Sequence, residues 1–206
     1  MQNILITCKA NFDKHGQLVW LLENNWYKLF SNKKINLIPV TPDSNQLNEF
    51  FRLKPKGIIF SGGNDLNFLS KKKANLIRDK FELKMLKKAL KYKIPILGVC
   101  RGFQLIAHYY KSKIYKKKNH VGTTHSLKMN NEIDNNKYVS INVNSFHNYV
   151  ILTLPKIFDV IVKHKDNTIE LAYSKKFKIL SMMFHPERKN RSQANINKLV
   201  FSHLKI

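Results

Sequence analysis

Cysteine is nearly absent. Only Cys8 and Cys100 occur in 206 residues, far apart and without the paired spacing of a zinc site or a disulfide framework. The chain is therefore expected to suit a reducing compartment, the cytoplasm. Long apolar runs are missing as well. Ile4-Leu5-Ile6 is too short for the apolar region of a signal peptide, and no later run approaches the roughly 18 residues of a membrane span. Glycine totals 7 and proline 6, with no Gly/Ser- or Pro-rich linker and no internal repeat. One domain over residues 1–206 is expected, long enough to bury most of the surface that its unfolded form exposes.

Acidic residues are also few: 13 Asp and Glu stand against 37 Lys and Arg, a net charge of +24. Such a balance points to nucleic acid, an anionic membrane or a polyanionic substrate. The cations do not form one stripe interleaved with aromatics, as a nucleic-acid groove would require. Runs such as Lys71-Lys72-Lys73, Lys116-Lys117-Lys118 and Asn130-Asn131 also fit a plain compositional bias toward Lys and Asn. What is present in quantity is core material, with 43% of residues hydrophobic and 11% aromatic, an ordinary globular content.

Short apolar runs alternate with amphipathic stretches through the first half, the pattern of βαβ units and a parallel sheet. The spacing predicts strands at 3–8, 35–40 and 57–60, helices over 18–30 and 72–92, and a nearly continuous apolar strand at 94–99. That strand runs directly into a helix over 103–110. A surface loop is expected at 111–119. Strands at 138–143, 157–162, 168–173 and 179–184 follow, and a helix over 192–204 closes the chain. In the long Lys-rich helix, Leu76, Ile77, Phe81, Met85, Leu86 and Leu90 recur at helical spacing, which makes its lysines the solvated face.

The junction at 98–102 carries the first chemical signal. Gly98-Val99-Cys100-Arg101-Gly102 has the form G-x-C-x-G between a strand and a helix, the thiol counterpart of a nucleophile elbow. The helix N-terminus behind Cys100 favours a thiolate. A nucleophilic cysteine needs a base and a group that orients it, and Phe184-His185-Pro186-Glu187 supplies both past the end of an apolar strand. Pro186 biases His185 away from helix and keeps the segment extended. The turn Ser61-Gly62-Gly63-Asn64-Asp65 follows strand 57–60 at the same sheet edge. It makes the backbone N–H groups of Gly63 and Arg101 candidates for an oxyanion hole.

These motifs, in this order along almost the whole chain, resemble those of the class I glutamine amidotransferase-like family. The resemblance implies a three-layer flavodoxin-like α/β sandwich with a mostly parallel central sheet and a Cys100–His185–Glu187 catalytic set. Arg101, Asp65 and Val143-Asn144-Ser145-Phe146-His147 are similar to the branch that hydrolyses γ-glutamyl amides. The likeness implies substrate contacts at Gly62, Asn64, Asp65, Gln104, Asn144, Ser145 and His147. One departure is visible: that branch commonly continues its Asn-Ser-x-His segment with His and Gln, where this chain has Asn148 and Tyr149, so the leaving-group pocket is expected to differ.

The chemistry implied is attack of the Cys100 thiolate on a γ-carbonyl, a γ-glutamyl thioester, and hydrolysis assisted by His185. It calls for no metal and no cofactor. The partner is a small γ-glutamyl compound. Cations at 111–118 and at Arg188 and Lys189 are the candidates to meet phosphates if that compound bears a nucleotide. Two rival readings are a glutaminase that passes ammonia to a synthase partner and a non-catalytic protein that uses the same fold to hold nucleic acid.

Overall fold

The computed structural model describes residues 1–42, 46–130 and 138–206. Its elements run β1 (Gln2–Thr7), β2 (Lys9–Phe12), β3 (Leu18–Leu21), α1 (Asn25–Phe30), β4 (Ile35–Val40), α2 (Leu47–Arg52), β5 (Gly57–Phe60), α3 (Lys73–Lys91), β6 (Ile96–Val99) and α4 (Arg101–Tyr109). The second half contributes β7 (Ile114–Lys116), β8 (Val121–Asn130), β9 (Tyr138–Phe146), β10 (Tyr149–Ile151), β11 (Asp159–Lys163), β12 (Ile169–Ser174), β13 (Ile179–Met182) and α5 (Gln193–Leu204). No helix among the described residues is long and apolar enough to cross a membrane.

Seven strands form the central sheet in the order β11-β12-β13-β6-β5-β1-β4. The five from β13 to β4 are parallel, and β12 runs antiparallel to both of its neighbours. Alternate side chains of a strand point to opposite faces, and β1 shows the consequence. Ile4 and Ile6 pack with Trp26 and Phe30 of α1 and with Ile196, Val200 and Leu204 of α5. Leu5 packs on the other face with Phe81, Met85, Leu86 and Ala89 of α3 and with Leu105 and Ile106 of α4. Helices therefore cover both faces, which gives the three-layer α/β sandwich that the sequence implies. Because both faces are covered, β5 and β6 are buried at every position, and their unbroken apolarity follows.

Two sequence expectations are corrected. Residues 18–30 do not form one helix. Leu18–Leu21 pairs antiparallel with Lys9–Phe12, and only Asn25–Phe30 is helical. The turn between the strands decides this: Asp13 Oδ1 accepts from the amides of His15 at 2.9 Å and Gln17 at 2.8 Å, a local side-chain closure that favours a hairpin. The loop expected at 111–119 contains β7, which pairs with β10.

Helix α3 places charge inside. Its buried face comprises Ala74, Asn75, Arg78, Phe81, Glu82, Met85, Leu86 and Ala89, while Leu76, read as part of the apolar face, is exposed. Arg78 Nε donates to Glu82 Oε1 at 2.8 Å with both side chains wholly buried. Arg101, at the start of α4, bridges Glu82 and Asp79. The rest of the Arg78 guanidinium donates to the carbonyls of Ser61 at 2.9 Å and Gly62 at 3.0 Å. One buried network thus holds together the turn after β5, helix α3 and the first residue of α4. Burial works against the Glu82 charge, yet Arg101 and Arg78 outweigh it and hold the carboxyl below its ordinary range. Burial likewise lowers Arg78 to about 10, leaving it cationic at neutral pH.

Removing one partner of a buried ion network leaves the others uncompensated. Glu82→Gln is expected to cost about 3–5 kcal/mol in urea unfolding, and a loss below about 1 kcal/mol, the scale of an exposed ion pair, would refute the structural role given to the network.

Candidate active site

The parallel strands end side by side, with Ile6 opposite Ile59, Ile59 opposite Leu97, and Val99 opposite Met182. The segments singled out in the sequence leave from these carboxyl ends, where open α/β sheets bind ligands.

Cys100 sits between β6 and α4 with φ 50° and ψ −103°, a conformation costly for a residue with a Cβ and of the kind concentrated at functional sites. Its amide donates to Met182 O at 2.8 Å and its carbonyl accepts from Gln104 N at 3.0 Å, so both neighbours hold it. Gly102 is required by proximity: a Cβ there would lie 2.0 Å from Phe60 O and 2.7 Å from Phe60 C. Helix α4 can approach β5 this closely only without that side chain. The amide of Arg101 lies in the first turn of α4, where helix geometry provides no intrahelical acceptor.

His185 is buried, and its Nδ1 lies 2.7 Å from Glu187 Oε1. Its backbone is clamped. Asn144 Nδ2 donates to His185 O at 2.8 Å, His185 N donates to Asn144 Oδ1 at 2.9 Å, and Asn190 Nδ2 donates to the same carbonyl at 2.9 Å. Burial opposes a charge on this imidazole. The charge on Cys100, a hydrogen bond with that residue and the Glu187 carboxylate outweigh burial and raise His185 to about 10. The imidazolium is thereby favoured beside the sulfur. Gly62 makes room for the ring, since a Cβ at that position would lie 2.5 Å from His185 Cε1.

These groups open on a cleft of about 370 Å³ lined by Cys100, His185, Gly63, Asn64, Asp65, Arg101, Gln104, His147, Asn148 and Tyr149 among others. Three residues expected at the substrate do other work. Asn144 spends its amide on the His185 backbone. Ser145 is fully buried and donates its hydroxyl to His120 O at 2.6 Å. Gly62 provides clearance for the imidazole. Asn64, held to the backbone of Ala10 by two hydrogen bonds of 2.8 Å, reaches the cleft together with Asp65, Gln104 and His147, and Gln104 Nε2 also donates to Tyr149 O at 3.2 Å.

The cations differ from expectation as well. Neither residues 111–118 nor Lys189 line the cleft, whereas Lys9, Lys72 and Arg188 do. Lys117 turns instead to Asp166 at 2.9 Å. Arg188 pairs with Glu23 through Nε at 3.0 Å and lies 4.8 Å from the Phe146 ring centre. Phe146 in turn stands edge-on to His185 at 6.1 Å. Lys9, Lys72 and Phe146 carried no local signal; they reach the cleft through the hairpin β2–β3, the start of α3 and the end of β9.

Cys8 and Cys100 are both buried, but only Cys100 has the imidazole. Burial pushes the Cys8 thiol up. Iodoacetamide at neutral pH should therefore alkylate Cys100 at least tenfold faster than Cys8, with His185→Ala removing most of the difference. Equal rates, read by peptide mass spectrometry, would remove the argument for an activated sulfur.

Comparison with known proteins identifies the family. The model of the class-I glutamine amidotransferase domain matches residues 11–203. A γ-glutamyl-CDP-amidate hydrolase of Campylobacter jejuni is 37% identical over 167 residues, covering 81% of this chain and 80% of that protein. A glutamine-hydrolysing GMP synthase component of Thermococcus kodakarensis is 27% identical over 150 residues, 72% of this chain and 74% of its own. In three dimensions, a glutamine amidotransferase from Thermotoga maritima superposes with a TM-score of 0.66 over 98% of this chain and 82% of its own, at 16% identity. The chain belongs to the class-I glutamine amidotransferase family.

Proposed function

We propose that this protein hydrolyses the γ-glutamyl amide bond of γ-glutamyl-CDP-amidate, with Cys100 as nucleophile, His185 as acid and base, and Glu187 as the carboxylate that orients it. The observation that carries this reading is the strained Cys100 beside a His185 imidazolium, in a cleft whose rim presents Lys9, Lys72 and Arg188. The likeness to the Campylobacter jejuni hydrolase supports the choice of substrate. The corresponding setting is the synthesis of capsular phosphoramidate.

In this mechanism the Cys100 thiolate adds to the γ-carbonyl, and the oxyanion accepts hydrogen bonds from the amides of Gly63 and Arg101. His185 then donates its proton to the departing nitrogen as the C–N bond breaks. CDP-amidate leaves and a γ-glutamyl thioester remains on Cys100. Neutral His185 next takes a proton from water, which attacks the thioester. Glutamate departs and the proton on the imidazole restores the thiolate–imidazolium pair. The Glu187 hydrogen bond to Nδ1 at 2.7 Å directs Nε2 toward the sulfur throughout. Asp65 and Gln104, both on the cleft wall, are placed to meet the amino and carboxylate groups of the glutamyl portion.

The diphosphate calls for cations that are not already neutralised. Lys9 and Lys72 are exposed at the rim, whereas Arg188 is shared with Glu23. Asn148 and Tyr149 face the same cleft, and their difference from the usual His and Gln falls where a leaving group extends past the scissile nitrogen.

Glutamate release from γ-glutamyl-CDP-amidate, γ-glutamyl alkylamines and glutamine is expected to be fastest with the nucleotide compound, and Cys100→Ala should abolish it. Turnover of glutamine alone, and only with an added synthase, would replace this reading with the ammonia-delivering one. Lys9→Ala with Lys72→Ala should raise KM for the nucleotide substrate about tenfold, the scale of one lost charge-assisted hydrogen bond, and leave KM for γ-glutamyl alkylamines unchanged. An equal rise for both substrates would remove these lysines from phosphate recognition.

A further inference from the structure

Behind the cleft wall lies a cluster that the hydrolytic chemistry does not use. His120, His125, His147 and Glu170 are each at most 3% exposed. Each offers one nitrogen or oxygen, and these donor atoms all lie within 4.8 Å of one another. Four of the atoms at stake, His120 Nδ1, both nitrogens of His125 and His147 Nε2, have no hydrogen-bond partner among the described residues, and neither does Glu170 Oε2. His125 Nδ1 and His147 Nε2 stand 3.1 and 3.6 Å from Glu170 Oε1, the spacing of neighbouring ligands around one centre. Buried polar atoms are nearly always paired, so nitrogens without a hydrogen bond gathered around one carboxylate make a donor set suited to a cation.

The outer contacts agree. His120 Nε2 is engaged by Asp166 Oδ2 at 2.9 Å, which leaves Nδ1 pointing inward. His147 Nδ1 is engaged by Tyr149 O at 3.2 Å, which fixes the tautomer with its lone pair on Nε2. A carboxylate or carbonyl behind the imidazole, present here at His120 and His147, is the usual support of a metal-bound histidine.

We propose that His120, His125, His147 and Glu170 form a closed four-coordinate site for one divalent transition-metal ion, zinc by the chemistry of its donors. Three imidazoles and one carboxylate suit tetrahedral zinc, and a full set of protein ligands marks a structural rather than a catalytic ion. Tetrahedral bonds of about 2.0–2.1 Å put ligand atoms about 3.4 Å apart, so the donors must close on the ion by side-chain adjustments on the order of 1 Å. Asp166 is not a ligand, because Lys117, His120, His164 and Thr168 already occupy its oxygens.

The ion would brace the cleft. His147 is on its wall, and Tyr149 O, which receives His147 Nδ1, also accepts from Gln104. The strands carrying the ligands come from separate places: His125 on β8, Glu170 on β12 and His147 just past β9. One ion would fasten the β8–β9 pair to β12 of the central sheet.

The test is metal content of the full chain after chelator treatment, dialysis against zinc and gel filtration, together with Tm and the visible spectrum of the cobalt-substituted protein. One equivalent per chain, a Tm raised by several degrees, a tetrahedral cobalt spectrum and an X-ray absorption edge showing imidazole ligands are expected. Cys100→Ala should retain the ion, which separates this site from the catalytic reading. His125→Asn and Glu170→Gln should lose it. Absence of bound zinc or cobalt in the wild type would overturn the proposal in favour of unaided imidazolium–carboxylate pairing. So would a full equivalent in folded His125→Asn and Glu170→Gln. Were either variant to fail to fold, the imidazole count from X-ray absorption of the wild type decides, and fewer than three would overturn it.

Discussion

The arrangement depends on charge buried beside Cys100. Arg78, Glu82, Arg101 and Asp79 lie between α3, α4 and the turn after β5, and each is expensive there alone. Together they fix the relation between two pieces of backbone. These are the amide of Arg101, which follows Cys100, and the Gly62–Gly63 turn, whose carbonyls accept from Arg78. An apolar core could fill the same space with equal or better stability. It could not accept from Arg101 or donate to three successive carbonyls of a turn, so the network supplies geometry more than free energy.

The same logic explains the glycines on either side. Helix α4 is pressed on Phe60 until only hydrogen fits at Gly102, and the His185 ring is pressed on Gly62. The elbow, the imidazole and the Gly62–Gly63 turn converge because three chain segments leave adjacent strand ends and are then packed to contact. Cys100 bears the strain as a positive φ. The hydrogen bonds of its amide and carbonyl to β13 and α4 keep that strain from relaxing.

The strand–elbow–helix unit, the parallel strands and the His185–Glu187 pair were legible because each is written within a few consecutive residues. Continuous apolarity marked β5 and β6, and glycine spacing marked the turn at Cys100. What was illegible has physical reasons. Arg78 and Glu82 fall on the buried face of α3 at positions that hydropathy assigns to solvent, and the displaced apolar residue, Leu76, is exposed instead. The β2–β3 hairpin depends on Asp13 closing its own turn, a side-chain bond that outweighs the helical spacing of Leu18 to Leu22. Asn144 and Ser145 sit in a motif that implies substrate contact, yet they face the backbones of His185 and His120. A motif records which residues are required, and only the fold distinguishes contact with the substrate from support of what contacts it.

The large positive charge divides in the same way once the cations are located. Many lysines of α3 lie on its outer side, where water and salt screen them, and Lys117 is consumed by Asp166. A charge matters to a ligand when it borders a low-dielectric cleft and has no local counterion. Lys9 and Lys72 border the rim and make no salt bridge among the described residues, whereas Arg188 is paired with Glu23. The acidic residue on the same wall, Asp65, lies in the turn beside Gly63. The cleft is therefore polarised, with a carboxylate available to an ammonium group near the thiol and ammonium groups available to anions at the mouth. In the proposed reaction a γ-glutamyl group engages the inner part of that field, and an anionic leaving group engages the outer part.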